Sequence, residues 1–349
     1  MRIFGLFASL ACGVVARVGW SRVGMAGSLM LLAAALVALC GMLRDIDLDQ
    51  ILAAVRATPL HAALGACGLV IIGYGTLTFY DYFALRAVGR REVPYAVAAF
   101  AGFTASAIGH GLGVGLLSGG AVRLRIYSPW GLGLVEVTKI GFITGLTFWL
   151  GNLSALGFAL ALAPEQAATA TKLPHWANQA LGFLALVSVA GYIAWLMRGP
   201  RAIGAANFRM TLPDAGLTFV QIAIGILDLA VGSMATYVLL PAALSADYLA
   251  VAVAYVMAAL FGFLCHAPAS LGAFEVAMLV LLPQYQKEAL LGALLILHFL
   301  YLILPLTIAL VALCVHEARL GQDWAKRARW PSCGETDAAR PSARPRHQV

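Results

Sequence analysis

Charged residues are scarce in this chain. Only 11% of its 349 residues are Asp, Glu, Lys or Arg, whereas 62% are hydrophobic and the mean hydropathy is +0.88. Soluble domains carry about 25% charged residues. The composition therefore excludes a soluble enzyme and predicts a protein that crosses a membrane several times.

Several chemical signatures are also missing. The cysteines include no CxxC pair and mostly lie inside apolar runs, so neither a disulfide framework nor a zinc site is indicated; they are Cys12, Cys40, Cys67, Cys265, Cys314 and Cys333. The sequence has no Walker A, HExxH or GxSxG motif, and thus no signature of ATP binding or hydrolytic catalysis. We therefore expect no cofactor, no metal and no catalytic residue in this chain.

Apolar runs of helical length are what the sequence does contain. They predict an all-α, polytopic membrane bundle of about eight transmembrane helices, with re-entrant or broken segments near residues 95–122 and 247–283. The predicted domains are a cytoplasmic N-terminal arm at 1–23, a transmembrane domain at 24–316 and a basic, disordered cytoplasmic tail at 317–349.

Two of the apolar stretches contain helix-breaking residues. Six glycines fall between Gly109 and Gly120, close to His110, and a second stretch at 263–275 holds His266, Pro268 and Gly272. Broken backbone at membrane depth is tolerated only where protein or a water-filled cavity satisfies its polar groups. Paired interruptions in the two halves of a membrane protein are typical of a transporter binding site.

The positions of the basic residues predict the membrane orientation. Most of the 23 lysines and arginines lie in the segments 1–22, 84–94, 117–133 and 198–215 and in the tail. Basic loops stay on the cytoplasmic side, and all of these do so at once if 95–122 dips into the membrane and returns. The expected location is a bacterial-type inner membrane with both termini in the cytoplasm. The +7 net charge is thereby explained without nucleic acid.

The second interruption fits either two short spans or a hairpin that enters from outside. A weak inverted repeat is also visible, in which Asp81, His110 and Arg123 correspond to Asp228, His266 and Glu275.

Ionisable side chains inside predicted spans are the candidate substrate-binding residues, because a charge in the bilayer needs a partner or a cavity. Asp81 either contacts substrate or reaches the interface from near a span end, and mid-span Asp228 either contacts substrate or makes an interhelical hydrogen bond. Arg123 and Arg125 are either cytoplasmic anchors or a phosphate seat. Glu275 either binds substrate or serves a helix N-terminus.

The remaining candidates allow two interpretations as well. Glu136 and Lys139 lie three residues apart on one helix and form either a structural pair or part of the binding site. His110 and His266 are either core histidines or a proton or polar relay, which Lys139 would extend.

Five motifs occur in an order that resembles the transmembrane domain of the lysylphosphatidylglycerol synthase/flippase family, also called the multiple peptide resistance factor family. They are Tyr80–Arg86, Gly119–Tyr127, Leu212-Pro213 with Gln221 and Asp228, Leu240-Pro241, and His266–Glu275. The resemblance covers roughly 24–316. One departure is Ala269-Ser270, where the family usually has two glycines.

The resemblance implies a lipid flippase that moves aminoacylated phosphatidylglycerol to the outer leaflet, with Asp81, Arg123, Asp228 and Glu275 as functional positions. The family's soluble synthase domain does not fit before Val349, so we expect the transport half alone, either as a stand-alone relative or as a truncated form of a longer bifunctional protein. The implied partners are membrane phospholipids, a separate synthase and a second copy of the chain. One alternative is an enzymatic role, either as an intramembrane lipid-modifying activity or as a membrane subunit or remnant of an aminoacyl-phosphatidylglycerol synthase. The other is a proton-coupled small-solute transporter.

Overall fold

A computed structural model of the chain describes residues 48–112, 115–204, 209–241, 247–265 and 270–328. The helices in these ranges are α1 (Leu48–Ala57), α2 (Leu60–Ala87), α3 (Tyr95–Leu112), α4 (Gly115–Tyr127), α5 (Leu134–Leu162), α6 (Pro164–Thr171), α7 (His175–Met197), α8 (Ala215–Leu239), α9 (Tyr248–Cys265), α10 (Ala273–Leu281), α11 (Lys287–His298) and α12 (Leu304–Ala328).

Three shorter elements join them. A 3₁₀ turn at Ser128–Trp130 follows α4, a π-helical turn at Phe299–Ile303 joins α11 to α12, and two antiparallel strands, β1 (Ala202–Ile203) and β2 (Met210–Thr211), lie between α7 and α8.

The all-α membrane bundle predicted from composition is confirmed. Within the described residues six helical segments are long and apolar enough to cross a membrane, namely α2, α5, α7, α8, α9 and the continuous run from α11 into α12. The predicted arm at 1–23 and the predicted span at 24–43 lie outside the described residues. The chain divides into a unit that ends at Ala309 and one that begins at Leu310, and α12 continues to Ala328, beyond the predicted boundary at His316.

Helices α2 and α8 form the centre of the first unit and run antiparallel. Gly65 faces Val238, Gly73 faces Val231, and Thr76 faces Asp228. As the residue number rises along α2, the number of its partner on α8 falls, so the two helices run in opposite directions. Glycines on this face let the two backbones approach closely, as is usual in membrane bundles.

Helix α5 crosses α8 at a direct backbone contact. A side-chain carbon built on Gly151 would lie 2.6 Å from the Cα atom of Gly225, and one built on Gly225 would lie 2.7 Å from that of Gly151. These distances leave no room for any side chain at either position. Helix α7 packs antiparallel on α5, where Gly182 lies against Ala161 and Gly157 against Leu186.

Helices α3 and α4 form the first hairpin. They pack on each other at Gly119, where an added carbon would lie 3.1 Å from the carbonyl oxygen of Ala105. Helix α4 has only 13 residues, a length of about 20 Å against a hydrocarbon core of about 30 Å.

Both ends of this hairpin lie on one side of the bundle. Arg90, before α3, donates to the carbonyl oxygen of Gly131, after α4, at 3.4 Å. The hairpin is therefore the re-entrant segment that the distribution of basic residues predicts, and we call the side with loops 88–94 and 128–133 the basic side.

Helices α9 and α10 form the second hairpin. An added carbon at Gly262 would lie 2.7 Å from Cβ of Ser270, so the chain turns back closely on α9. The turn places Gly272 at φ 82°, a conformation that glycine adopts without strain. Both arrangements open from sequence contain this close turn, and its centre at 266–269, including His266, lies outside the described residues.

The two hairpins belong to an inverted arrangement. Helix α2, the first hairpin and α5 correspond in order and in packing to α8, the second hairpin and α11. Because α2 and α8 run in opposite directions, the hairpins that follow them enter from opposite sides. The residue correspondence is less regular, since Arg123 is the ninth residue of α4 whereas Glu275 is the third of α10.

Candidate functional site

A cavity lies between the end of α3 and the turn that precedes α10. Its volume is about 210 Å³, and it is lined by Gly111, Leu271, His298, Leu302, Ile303 and Leu306. Gly111 is the penultimate residue of α3, and Leu271 lies in the turn between α9 and α10. The breaks that the sequence places in separate halves therefore border one space, whose lining is apolar except for His298.

The π-helical turn forms another wall of this cavity, and a proline explains it. The amide of Leu304 donates to the carbonyl of Phe299, five residues back. Pro305 has no N–H to donate to the carbonyl of Tyr301 four residues earlier. That carbonyl instead accepts a hydrogen bond of 2.9 Å from the hydroxyl of Tyr74 on α2. Such π-helical turns frequently occur at functional sites.

Asp228 lies halfway along α8 and is partly buried. The hydroxyl of Thr76 is 3.5 Å from its Oδ1 atom. Four tyrosines interact electrostatically with this carboxyl group: Tyr74, Tyr80, Tyr255 and Tyr301. No ion pair in the described part of the chain includes Asp228. The site is therefore an acid among neutral hydroxyl groups.

Glu275 and His298 form a second polar pair, at the edge of the cavity. Glu275 Oε2 accepts from the backbone N–H of Gly272 at 2.7 Å, so this acid serves the start of α10 as one sequence interpretation predicts. His298 Nδ1 lies 3.4 Å from Glu275 Oε1 and 2.9 Å from the carbonyl of Leu294. An N–H at Nδ1 thus points between two acceptor oxygens.

A row of aromatic rings joins these two sites. The rings of Tyr255 and Phe274 are 5.6 Å apart, and those of Phe274 and His298 are 5.7 Å apart, both edge to face. The surroundings of Asp228 are therefore continuous with the histidine that faces the cavity.

Asp81 and Arg123 bind each other. Arg123 Nε donates to Oδ1 and Oδ2 of Asp81 at 3.0 and 2.9 Å, and Nη2 donates to Oδ1 at 2.7 Å. The Tyr127 hydroxyl adds a bond of 2.9 Å to Oδ2. Asp81 is fully buried and Arg123 is 8% exposed. The pair ties α4 to α2, and Gly102 and Gly119 leave space beside it.

The other predicted charges lie on the basic side. Arg125 is exposed, two residues from buried Arg123 and thus on another face of α4. Glu136 Oε2 accepts from the N–H of Gly133 at 3.1 Å, and Oε1 lies 3.6 Å from Arg90 Nη2. Lys139 interacts electrostatically with Glu136, as the sequence spacing suggests.

The loop before α3 adds one further acid. A backbone hydrogen bond of Glu92 and the neighbouring Arg90 guanidinium hold the pKa of the Glu92 carboxyl below its usual value.

Of the two histidines predicted from sequence as a relay, the structure describes only His110. The His110 ring stacks on that of Tyr301 with centroids 6.1 Å apart, so His110 lies beside one of the four tyrosines around Asp228. His266 lies outside the described residues. In the described part of the chain, no three His, Cys, Asp or Glu side chains lie close enough to hold one metal ion.

Sequence reasoning did not assign some residues of this region to the binding site. His298, the four tyrosines and Pro305 are spread over α2, α9 and the junction of α11 and α12. Gln221 is 1% exposed, and neither of its amide atoms has a hydrogen-bond partner in the described residues. The sequence does show that polar groups and a proline lie inside the predicted spans. It does not show that these residues meet in one place, because that depends on how the helices pack.

Comparison with known proteins gives two relatives. No model of a known protein family matches the chain. The chain is 30% identical over 277 residues to the uncharacterized protein slr0712 of Synechocystis. The matched region covers 77% of this chain and 84% of slr0712. It is 25% identical over 289 residues to the inner membrane protein YbhN of Escherichia coli, or 79% of this chain and 86% of YbhN. Neither name specifies lysylphosphatidylglycerol, so that resemblance stays a prediction.

Proposed function

This chain belongs to the family of membrane proteins that includes slr0712 of Synechocystis, and from that premise we propose that it moves phospholipids with charged headgroups between the two leaflets of a membrane. The observation that supports this proposal is the pair of hairpins that enter from opposite sides and border one cavity. Such a site can be exposed to either leaflet by small movements of one repeat against the other.

The chemistry of the cavity suits one part of a lipid at a time. Its volume of about 210 Å³ is below the range of about 300–1,000 Å³ typical of pockets that enclose a whole ligand. The cavity therefore holds a headgroup while the acyl chains remain in the bilayer. His298 and Glu275 at its edge, with Asp228 behind the tyrosines, supply hydrogen-bonding and acidic groups for that headgroup.

Aminoacylated phosphatidylglycerol is the lipid we propose, because its headgroup carries both an ammonium group and a phosphate. Asp228 and Glu275 are the acids for the ammonium group. Arg125, Glu136 and Lys139 lie on the basic side, where a headgroup in that leaflet first meets the protein. Arg123 binds phosphate only when its pair with Asp81 opens, so we assign that pair to holding the first hairpin in place.

A leaflet-resolved assay in proteoliposomes tests this function. Purified protein is reconstituted with aminoacylated phosphatidylglycerol, and a membrane-impermeant amine reagent reports lipid in the outer leaflet. We expect the protein to accelerate exchange between the leaflets, and Leu302→Trp to abolish the effect by filling the cavity. The matched control is Leu295→Trp, at a position 51% exposed on α11. Equal rates with and without protein, for this lipid and for other charged phospholipids, would refute the proposal.

A proton-coupled small-solute transporter is the second candidate, and the small cavity volume favours it. In that case the chain accumulates a labelled amino acid in vesicles under a pH gradient. The paired substitution His110→Ala with His266→Ala abolishes the uptake, and Leu302→Trp blocks it too. Lipid exchange without solute uptake rejects this candidate.

A further inference from the structure

Asp81, which is buried, and Asp228, which is partly buried, have different partners in this fold. Asp81 is matched by the Arg123 guanidinium and the Tyr127 hydroxyl. Asp228, which occupies the central helix of the other repeat, has no arginine, lysine or histidine within ion-pair distance in the described part of the chain. An ionised carboxylate in such surroundings needs a cation or a proton.

Thr76 does not supply that compensation. Its hydroxyl donates to the carbonyl of Gly73 at 2.6 Å, and a hydroxyl has one hydrogen to give. The 3.5 Å contact between Thr76 Oγ1 and Asp228 Oδ1 therefore lacks a donor if Asp228 is ionised. A protonated Asp228 provides the missing donor, since its own O–H can point at the Thr76 oxygen.

The helices packed around Asp228 present four tyrosines, and one titratable imidazole, that of His110 on α3, stacks on Tyr301. Tyr74 and Tyr80 come from α2, Tyr255 from α9 and Tyr301 from the π-helical turn. The Tyr74 hydroxyl is already donated to the Tyr301 carbonyl. Helices α5, α7 and α11 also pack on α8, and none of their described acids or bases interacts with Asp228.

Gln221 gives a second, independent observation on the same helix face. It lies seven residues before Asp228, about two helical turns, and it is 1% exposed. Both of its amide atoms lack a partner among the described residues. Buried polar groups of this kind are normally satisfied by a ligand or by ordered water. The face of α8 that carries Asp228 therefore has unused capacity for hydrogen bonding.

We infer that Asp228 is a proton-binding site at the centre of the bundle. Its carboxylate takes a proton from water that reaches the α8 interface and returns it to water when a cationic group occupies the pocket. Only an O–H bond forms and breaks, and water is the source and the acceptor of the proton. Proton binding stands on the contacts of Asp228 alone, whereas its use in transport rests on the proposed function.

Infrared difference spectroscopy of the full chain in lipid nanodiscs tests proton binding. Between about pH 4 and about pH 9, a range that brackets ordinary and raised carboxyl values, we expect a change in the C=O stretching band of a buried protonated carboxyl. The band is absent in Asp228→Asn and shifted in Asp228→Glu. Glu165→Gln, at an exposed position on α6, leaves it unchanged. Identical wild-type and Asp228→Asn spectra over this range would overturn the inference.

A second measurement tests the coupling of the proton to transport. With one proton exchanged per lipid, a gradient of one pH unit shifts the leaflet distribution of the lipid up to about tenfold. We expect this shift in the wild type and in Asp228→Glu, and its loss in Asp228→Asn. Lipid exchange that ignores the gradient rejects the coupling and leaves the proposed function intact. A titrating Asp228 without any lipid exchange rejects the proposed function and leaves the proton site intact.

Discussion

At the residue scale, Arg123 shows how a buried charge is held. Three N–H bonds to Asp81 use the planar fork of the guanidinium, and Tyr127 satisfies a further lone pair of the acid. A lysine cannot reproduce this two-point geometry. The same residues were expected from sequence to hold substrate, and the structure shows that each is the principal partner of the other.

Removing one member of this pair leaves the other charge buried alone. We expect Arg123→Ala to lower the free energy of unfolding by about 3–5 kcal/mol and Arg123→Lys to have an intermediate effect. Thermal unfolding of the purified protein in one detergent measures both. Arg125→Ala, on the exposed face of α4, is the matched control with a smaller effect. Equal melting temperatures for Arg123→Ala and Arg125→Ala would contradict the structural role of the pair.

A second residue-scale prediction concerns the carbonyl of Tyr301. Tyr74→Phe removes its hydrogen bond, at a cost of about 1–3 kcal/mol for an unsatisfied buried group. Pro305→Ala restores an N–H four residues after the carbonyl. We therefore expect Tyr74→Phe to cost less in the Pro305→Ala background, measured as a double-mutant cycle of unfolding free energies. Tyr192→Phe, whose hydroxyl has no partner among the described residues, should be close to neutral.

At the element scale, the crossing of α5 and α8 depends on two glycines in backbone contact. Gly151→Ala places a carbon 2.6 Å from Gly225 Cα, and overpacking of this kind costs about 1–3 kcal/mol. Gly145 lies on the same helix with nothing within 4 Å of an added carbon. Because alanine favours a helix over glycine, Gly145→Ala should be neutral or stabilising. Thermal unfolding that ranks the two variants in the reverse order would show that the crossing is not tightly packed.

At the scale of the whole molecule, the fold predicts which loops share a side of the membrane. In a variant lacking the native cysteines, exposed Arg91→Cys and Ser128→Cys should react with an impermeant maleimide from one side. Exposed Leu173→Cys and Gln284→Cys should react from the other. Labelling of Arg91→Cys and Ser128→Cys from opposite sides would mean that α3 and α4 do not form a re-entrant hairpin.

The sequence predicted those features of the fold that depend on local composition. The breaks are indicated by Gly109–Gly120 and Pro268, and the first hairpin is indicated by the basic loops. Both features can be recognised within short segments of the sequence. The contacts of the site depend on which face each helix turns inward, which short segments do not record. Arg123 lies 42 residues from Asp81, and Tyr74 lies 227 residues from Tyr301. The interpretation of Glu275 as a helix cap could be made because its partner, Gly272, is only three residues away.

The contacts between early and late segments of the chain also constrain how the protein is made. Gly111 packs against Leu306, and Tyr74 against the backbone at Tyr301, so the first half cannot complete its contacts until nearly the whole bundle has left the ribosome. During synthesis α2 and the first hairpin lie in the bilayer before five of the six residues that line the cavity have been made. The first repeat is therefore inserted into the lipid before its packing is complete, and the cavity forms only when Tyr301 and Leu306 follow.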